Sequence, residues 1–189
     1  MADVSAFAGC PPVTPTLPQQ AVASAVGMLS IVSVTAWRGR IPALAAALHA
    51  GFGLDLAAAG RWTGSDVLAC IWSAPGHWHI QRQGCGRLAD DLAAALGAEA
   101  GQIDVSDARA ALRISGPGAP AMLARLLPID LHPRAFAPQL AAARLAGHIS
   151  VQLRQIDAAP SYEIACSRSY AASLWQALAT AGAGALRLA

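Results

Sequence analysis

Short stretches rich in apolar residues, one of them alternating apolar and polar positions, recur in the first half of the chain. Three of them, 29–37 (LSIVSVTAW), 66–72 (DVLACIW) and 77–83 (HWHIQRQ), are rich in β-branched, aromatic or alternating apolar residues, which predicts strands. The SAPG sequence between the last two suits a hairpin turn. Leucines one helical turn apart predict helices over 41–53 and 85–97, each stopped by a glycine.

The second half repeats this order with one extra strand. Its final helix carries Tyr170, Leu174 and Leu178 along one predicted stripe. The predicted strands are 101–106, 108–115, 141–147, 148–156 and 161–167, and the predicted helices are 118–127, closed by Pro128, and 168–182.

Strand pairs joined by tight turns and flanked by single helices predict an α+β protein. We expect two ferredoxin-like halves, about 21–100 and 101–189, within a single domain over 21–189. Residues 1–20 include CPPVTPTLPQQ, whose four prolines oppose both helix and strand. This segment is predicted to be a flexible Pro-rich N-terminal arm.

Composition narrows the possible functions. Only 13% of the 189 residues are charged, which predicts that a partner covers part of the surface. The net charge of +2, without a cluster of basic residues, argues against nucleic-acid binding. The chain has no lysine, which excludes a Schiff base and a phosphate-loop lysine, and no asparagine.

The location of the chain is predicted from its cysteines and its apolar run. Four cysteines without a C-x-x-C pair indicate reduced thiols and a cytoplasmic protein. No basic residue precedes Arg38, so a secretory signal is not expected. The apolar run 21–34 is too short to cross a membrane, and no membrane partner is expected.

One hairpin holds three potential zinc ligands: Cys70, His77 and His79. Two histidines two residues apart on a strand face the same side, so a zinc site is geometrically possible. The alternation also fits a simpler interpretation, in which Trp78 and Ile80 face the core and His77, His79 and Gln81 face solvent. A structural zinc site normally has four ligands, so the second interpretation is favoured and no metal is predicted.

A second candidate lies further along. Asp107, Arg109 and Arg113 are predicted to share one strand face, opposite Ala110 and Leu112. Two arginines on one face are suited to gripping a carboxylate. A solvated face or an ion pair between subunits also explains them, and this interpretation is favoured because no nucleophile or base accompanies the arginines.

The remaining polar residues do not form a nucleophile–base couple. Ser115 can cap the helix that follows SGPG, where backbone N–H groups are suited to an anion. His132 and Arg134, in LHPRAF, fit a surface or interface segment better than a base. No serine lies in G-x-S-x-G. We therefore predict no catalytic, cofactor-binding or metal residues, and Asp107, Arg109, Arg113, His132 and Arg134 as partner contacts.

Two segments carry a family resemblance. DVSDARAALRISGPGAPAMLARLLPIDLHPRAF and PSYEIACSRSYAASLWQAL resemble the gamma subunit of heterotetrameric sarcosine oxidase, and IWSAPGHWHI does so more loosely. That family resembles in turn the folate-binding fold of the glycine-cleavage T-protein. Where the wider group carries an acidic pair, this chain has Val151 and Gln152, and a neutral amide cannot exchange a proton near pH 7.

The resemblance implies a non-catalytic accessory subunit that assembles with alpha, beta and delta chains. Such a complex demethylates sarcosine oxidatively to glycine and passes the one-carbon unit to tetrahydrofolate. The resemblance places FAD, FMN, NAD and zinc in the other chains and no cofactor in this one. Two alternatives stay open: a gamma-type subunit of a related N-methyl amino acid dehydrogenase complex, and a stand-alone folate-dependent aminomethyltransferase-like protein.

Overall fold

The computed structural model describes residues 6–7, 21–84 and 86–184, with side chains up to Gly182. The chain divides into two compact units. Unit 2 is the continuous segment Gly27–Asp107, and unit 1 joins the described residues up to Val26 with those from Ala108 onward. The predicted single domain over 21–189, with halves at 21–100 and 101–189, stays a prediction.

Unit 2 is built around a five-stranded antiparallel sheet with the order β3-β4-β5-β2-β6. Its strands β2, β4, β5 and β6, with the two helices, follow the strand–helix–strand–strand–helix–strand order of a ferredoxin-like fold. The elements are β2 (Leu29–Ala36), α1 (Ile41–Phe52), β3 (Trp62–Gly64), β4 (Leu68–Ala74), β5 (His77–Gln83), α2 (Leu88–Leu96) and β6 (Ala100–Asp104).

Unit 1 repeats this architecture with one rearrangement. Its sheet order is β8-β9-β10-β7-β1, so the place that β6 holds in unit 2 is taken here by the N-terminal strand β1. The elements are β1 (Val22–Ala25), β7 (Arg109–Ser115), α3 (Ala119–Ala124), β8 (Ala141–Ala146), β9 (Ile149–Asp157), β10 (Ser161–Ser167) and α4 (Ala171–Gly184). The chain therefore begins in unit 1, forms unit 2, and then returns to complete unit 1.

Each unit has its own hydrophobic core. In unit 2, leucines of the two helices are buried with residues of one sheet face, and Gly51 lets the helices approach closely, since a Cβ there would lie 2.8 Å from Ala95. In unit 1, Leu174 and Leu178 of α4 are fully buried with Leu112 of β7. Burial of these aliphatic side chains is the main stabilising contribution, at roughly 1.5–3 kcal/mol for each.

The predicted α+β class with two ferredoxin-like halves is confirmed. Strands β1 and β3 were not predicted, because both are short and neither shows an extended alternation. The helix expected over 118–127 ends at Ala124. Tyr170 lies in a short 3-10 helix and is 45% exposed, so the predicted stripe of the last helix is wrong at its first residue.

The predicted flexible arm, residues 1–20, lies outside the described residues except for Ala6 and Phe7. Phe7 is buried, and the centre of its ring lies 5.8 Å from that of Trp175. Within the described part of the chain, no helix is long and apolar enough to cross a membrane.

Gly64, at the end of β3, gives a test of this fold. Its φ is +97°, and a Cβ would collide with the carbonyl oxygen of Leu68 and lie 2.6 Å from Leu54. We expect Gly64→Ala to lower the free energy of unfolding by well over ~1 kcal/mol. Gly76→Ala is the matched control, since φ there is +77° but the space is open. Urea unfolding in which both variants lose the same stability would contradict the predicted clash.

Candidate functional site

Three charged side chains meet on the sheet of unit 1. Glu163 of β10 lies directly opposite Arg113 of β7 on one side and Arg154 of β9 on the other. Directly opposed residues of antiparallel strands point to the same face, so strand register alone brings the three together. Their face is the one opposite Leu112, Leu153 and Ile164, which belong to the core. We call Arg113, Arg154 and Glu163 the ion cluster.

The geometry of the ion cluster is bidentate. Arg154 Nε donates to Glu163 Oε1 at 3.0 Å, and Arg154 Nη2 donates to Glu163 Oε2 at 3.1 Å. Arg113 Nη2 lies 3.7 Å from Glu163 Oε2. The side chains of Arg154 and Glu163 are 1% and 2% exposed, and that of Arg113 is 22% exposed. Parallel N–H···O bonds of this kind are among the strongest and most directional in proteins.

This arrangement limits what Glu163 can do. A base must reach the proton that it removes from a substrate, but both carboxylate oxygens here are buried and already contact guanidinium groups. Removing one partner of such a pair leaves an uncompensated buried charge, which costs several kcal/mol. The ion cluster is therefore suited to fixing strand register and unsuited to proton transfer.

Arg109 extends the same face of β7, four residues before Arg113. Burial lowers the pKa of its guanidinium, and the nearby Cys166 thiol opposes that shift. Its Nε has no hydrogen-bond partner among the residues that the structure describes. Arg113 already contacts Glu163, and residues four apart on a strand are about 13 Å apart, so Arg109 and Arg113 are poorly placed to grip one small carboxylate together.

The predicted strand face shared by Asp107, Arg109 and Arg113 is wrong for Asp107. The segment Ser106–Ala108 forms a 3-10 helix, and β7 begins only at Arg109. The side chain of Ser106 explains the interruption, because it accepts from Ile31 N and donates to Asp104 Oδ1 at 2.6 Å. The favoured solvated face is also wrong for Arg113, which is mostly buried beside Glu163.

His132 and Arg134 lie in an exposed segment after α3. Buried Leu131 and Phe136 anchor its two ends. His132 N donates to Asp130 Oδ1 at 2.9 Å, and Arg134 N donates to His132 Nδ1 at 3.2 Å. Fixed backbone and exposed side chains suit a contact surface. The partner-contact role of Asp107, Arg109, Arg113, His132 and Arg134 stays a prediction.

The structure does not use Ser115 as a cap. Ser115 ends β7, where it pairs with Val22 and Ser161. Helix α3 begins at Ala119 after Gly118 and has no side-chain cap. It has only six residues, so the anion-binding interpretation of SGPG gains no support.

The three potential zinc ligands lie on different faces of the unit 2 sheet. Cys70 pairs with Ile80 and is fully buried in the core, while His77 and His79 point to the opposite face. His77 Nδ1 lies 2.9 Å from Thr35 Oγ1. Within the described residues, no group of three His, Cys, Asp or Glu is placed to hold a metal. Gln81 is 2% exposed, so its predicted contact with solvent is wrong.

Comparison with known proteins shows the family of the chain. The family model described as sarcosine oxidase, gamma subunit family, matches residues 38–184. The chain belongs to this family. The match extends over parts of both units, including the ion cluster and the His132 segment, and leaves out β1 and β2.

Curated relatives of the chain carry the same family name. A sarcosine oxidase subunit gamma from Arthrobacter sp is 45% identical over 114 residues, covering 59% of this chain and 54% of that protein. One from Corynebacterium sp. (strain P-1) is 39% identical over 117 residues, covering 61% and 56%. The chain thus matches about half the length of these curated relatives.

Two solved structures share the fold. A heterotetrameric sarcosine oxidase from Corynebacterium sp. U-96, in complex with pyrrole 2-carboxylate, matches with a TM-score of 0.82 and 27% identity, covering 91% of this chain and 88% of that chain. The glycine cleavage system aminomethyltransferase T from Bartonella henselae matches with a TM-score of 0.60 and 17% identity, covering 84% and 45%. The second likeness shows the fold alone, and confirms the predicted T-protein-like architecture of this gamma-family chain.

Val151 and Gln152, where the resemblance puts an acidic pair, lie on β9. Val151 points into the core and is 2% exposed, whereas Gln152 lies on the ion-cluster face and is 7% exposed. Neither side chain carries a group that titrates near neutral pH.

Sequence reasoning missed Arg154 and Glu163. Glu163 lies within the mostly apolar strand SYEIACS, where a charge signals a buried partner, whereas Arg154 takes a polar position of the alternating strand ISVQLRQID and gives no such signal. The identity of that partner depends on register across three strands, which the sequence pattern does not give.

Loss of one member of the ion cluster gives a direct test. We expect Glu163→Leu to lower the free energy of unfolding by about 3–5 kcal/mol, because Arg154 loses its bidentate partner. Adding Arg154→Met should recover part of that loss. Arg144→Leu, at an exposed arginine of β8, should change stability by less than ~0.5 kcal/mol. A double variant no more stable than Glu163→Leu in urea unfolding would contradict this pairing.

The buried thiol of Cys70 predicts that the free energy of unfolding depends on pH. Burial raises the pKa of its thiol from 9.0 to about 11, against smaller opposing effects of hydrogen bonds with Ala57 and Thr63. Between pH 9 and 11 the unfolded thiol loses its proton and the folded one keeps it, so stability falls as pH rises. The stability of the wild type relative to Cys70→Ala should therefore decrease by about 1.4 kcal/mol per pH unit in this window. A difference that stays constant from pH 8 to 11 would contradict the raised pKa.

Proposed function

We propose that this chain is the accessory gamma subunit of a sarcosine oxidase complex and assembles with alpha, beta and delta chains. The complex demethylates sarcosine oxidatively to glycine, with transfer of the one-carbon unit to tetrahydrofolate. The observation that carries the proposal is the family match over residues 38–184, joined to the TM-score of 0.82 with a heterotetrameric sarcosine oxidase.

The isolated chain is not expected to catalyse the reaction by itself. The buried carboxylate of Glu163 contacts two arginines, and Gln152 occupies the place where the resemblance puts an acid. Neither residue is suited to passing a proton to a substrate. The contribution of this chain then lies in contacts with its partners, for which the exposed His132 and Arg134 are candidates.

The cofactors of the proposed complex are likewise assigned to its other chains. FAD, FMN, NAD and zinc belong to the other chains of the proposed complex, and tetrahydrofolate accepts the one-carbon unit there. The charge content of 13% supports a surface that partners cover. A cytoplasmic location fits this role.

Co-expression tests the assignment. The tagged full-length chain is produced with the alpha, beta and delta subunits from the same genome, and again alone. We expect all four chains to co-elute on size exclusion, with sarcosine-dependent formation of glycine by the complex and none by the isolated chain.

Two further measurements separate the alternatives. Faster turnover of another N-methyl amino acid than of sarcosine would move the assignment to a related dehydrogenase complex. Calorimetry in which the isolated chain binds tetrahydrofolate, together with one-carbon transfer by that chain alone, would favour the stand-alone aminomethyltransferase-like protein. Failure of the four chains to co-elute would overturn the accessory-subunit proposal.

A further inference from the structure

Strand β6 forms one edge of the unit 2 sheet and pairs only with β2 within the described part of the chain. Val105 N donates to Ile31 O at 2.9 Å, which places Val105 and Ile31 as a hydrogen-bonded pair. Because such pairs alternate in an antiparallel ladder, the peptide groups of Gly101 and Ile103 also face β2. Those of Ala100, Gln102 and Asp104 therefore point away from the sheet.

Apolar side chains line this free edge. Ile103 is 67% exposed and Trp37 is 52% exposed. The Trp37 indole lies over Gly101, where a Cβ would be 3.2 Å from its Cη2 atom. Gly101 and Ile103 lie two residues apart and so share a face. We call Trp37, Gly101, Gln102 and Ile103 the β6 edge.

The other sheet edges are better protected. Strand β3 has three residues, β1 has four, and β8 carries the exposed Arg144. Short length and charge are the usual defences of an edge strand against pairing with another chain. The β6 sequence AGQID has no basic residue and no proline, and its single acid comes at the last position. An edge of this kind matches the surfaces to which an extended segment adds a strand.

The charge beside the edge indicates the occupant. Arg38 follows Trp37 and is exposed, with no ion pair to it within the described residues. Nearby Arg40 lies 3.4 Å from Glu99, so of these two arginines Arg38 is the one that no described acidic residue pairs with. A bidentate pair with Arg38 needs both carboxylate oxygens, and a second copy of the chain could offer only Oδ2 of Asp104, because Oδ1 already accepts two hydrogen bonds from Ser106. Another chain with an acidic residue fits better.

We propose that β6 accepts an extended segment of another subunit of the complex as a sixth strand of the unit 2 sheet. Its backbone pairs with the outward peptide groups of Ala100, Gln102 and Asp104, an apolar side chain packs on Trp37 and Ile103, and a carboxylate faces Arg38. This docking rests on the proposed function, since the partner is one of the other sarcosine oxidase chains.

Three substitutions in the full-length chain test the three contacts. Gln102→Pro removes an outward N–H without breaking a bond to β2, Ile103→Lys replaces the apolar contact, and Arg38→Glu reverses the charge. Their matched controls are Gln102→Thr, Val67→Lys and Arg61→Glu, since Val67 is 60% exposed and Arg61 is exposed in the same unit. Each protein is co-expressed with the alpha, beta and delta subunits, and circular dichroism verifies its fold.

We expect each test variant to recover at least about tenfold less of the partner chains than its control, measured by quantitative affinity purification. If the wild type recovers the partners and all three folded variants recover them equally, the docking proposal is overturned and the subunit assignment stands. If the wild type recovers no partner, the proposed function fails first. Sedimentation that shows a homodimer of the wild type, dissociated by Ile103→Lys, would replace the partner strand with a second copy.

Discussion

A carboxylate buried in a sheet has to be paired, and Glu163 is paired on both sides. Its contacts with Arg154 and Arg113 span the three central strands of unit 1. Side chains alternate between sheet faces, so a slip of one residue in β10 would place Glu163 in the apolar core. Such a slip would also leave Arg154 without its bidentate partner. The ion cluster therefore fixes the register on which the core of this unit depends.

Much of the fold followed from local pattern. An apolar run and an alternating stretch predicted the two strands of the hairpin around Pro75–Gly76, and leucine spacing predicted both helices of unit 2, because each signal comes from neighbours in sequence. The order in which the chain passes from one unit to the other could not be predicted in this way. Strand β1 is a VASA segment, and its place beside β7 depends on contacts about 90 residues away. No pattern of neighbours contains that information.

The candidate site shows the same limit. Arg113 was recognised, but Glu163 lies 50 residues further along, and only the strand register shows that it contacts Arg113. Motif spacing suggested Cys70, His77 and His79 as potential ligands, whereas the pleat places Cys70 on the opposite face from the histidines. The family resemblance was more informative than either argument, since the family model confirms it over 38–184.

Because β1 completes the sheet of unit 1, only some segments of the gene encode a complete unit. Codons 27–107 encode a sheet whose strands are all contiguous in sequence, so this part behaves as an insertion into the other unit. A fragment that starts at Ala108 would lack β1 and leave one side of β7 open to solvent. During synthesis, the first strand of unit 1 leaves the ribosome long before its neighbours, and it waits without a partner until β7 has been made. A circular permutation that moves the residues before Gly27 behind the last helix would remove that wait and make both units continuous.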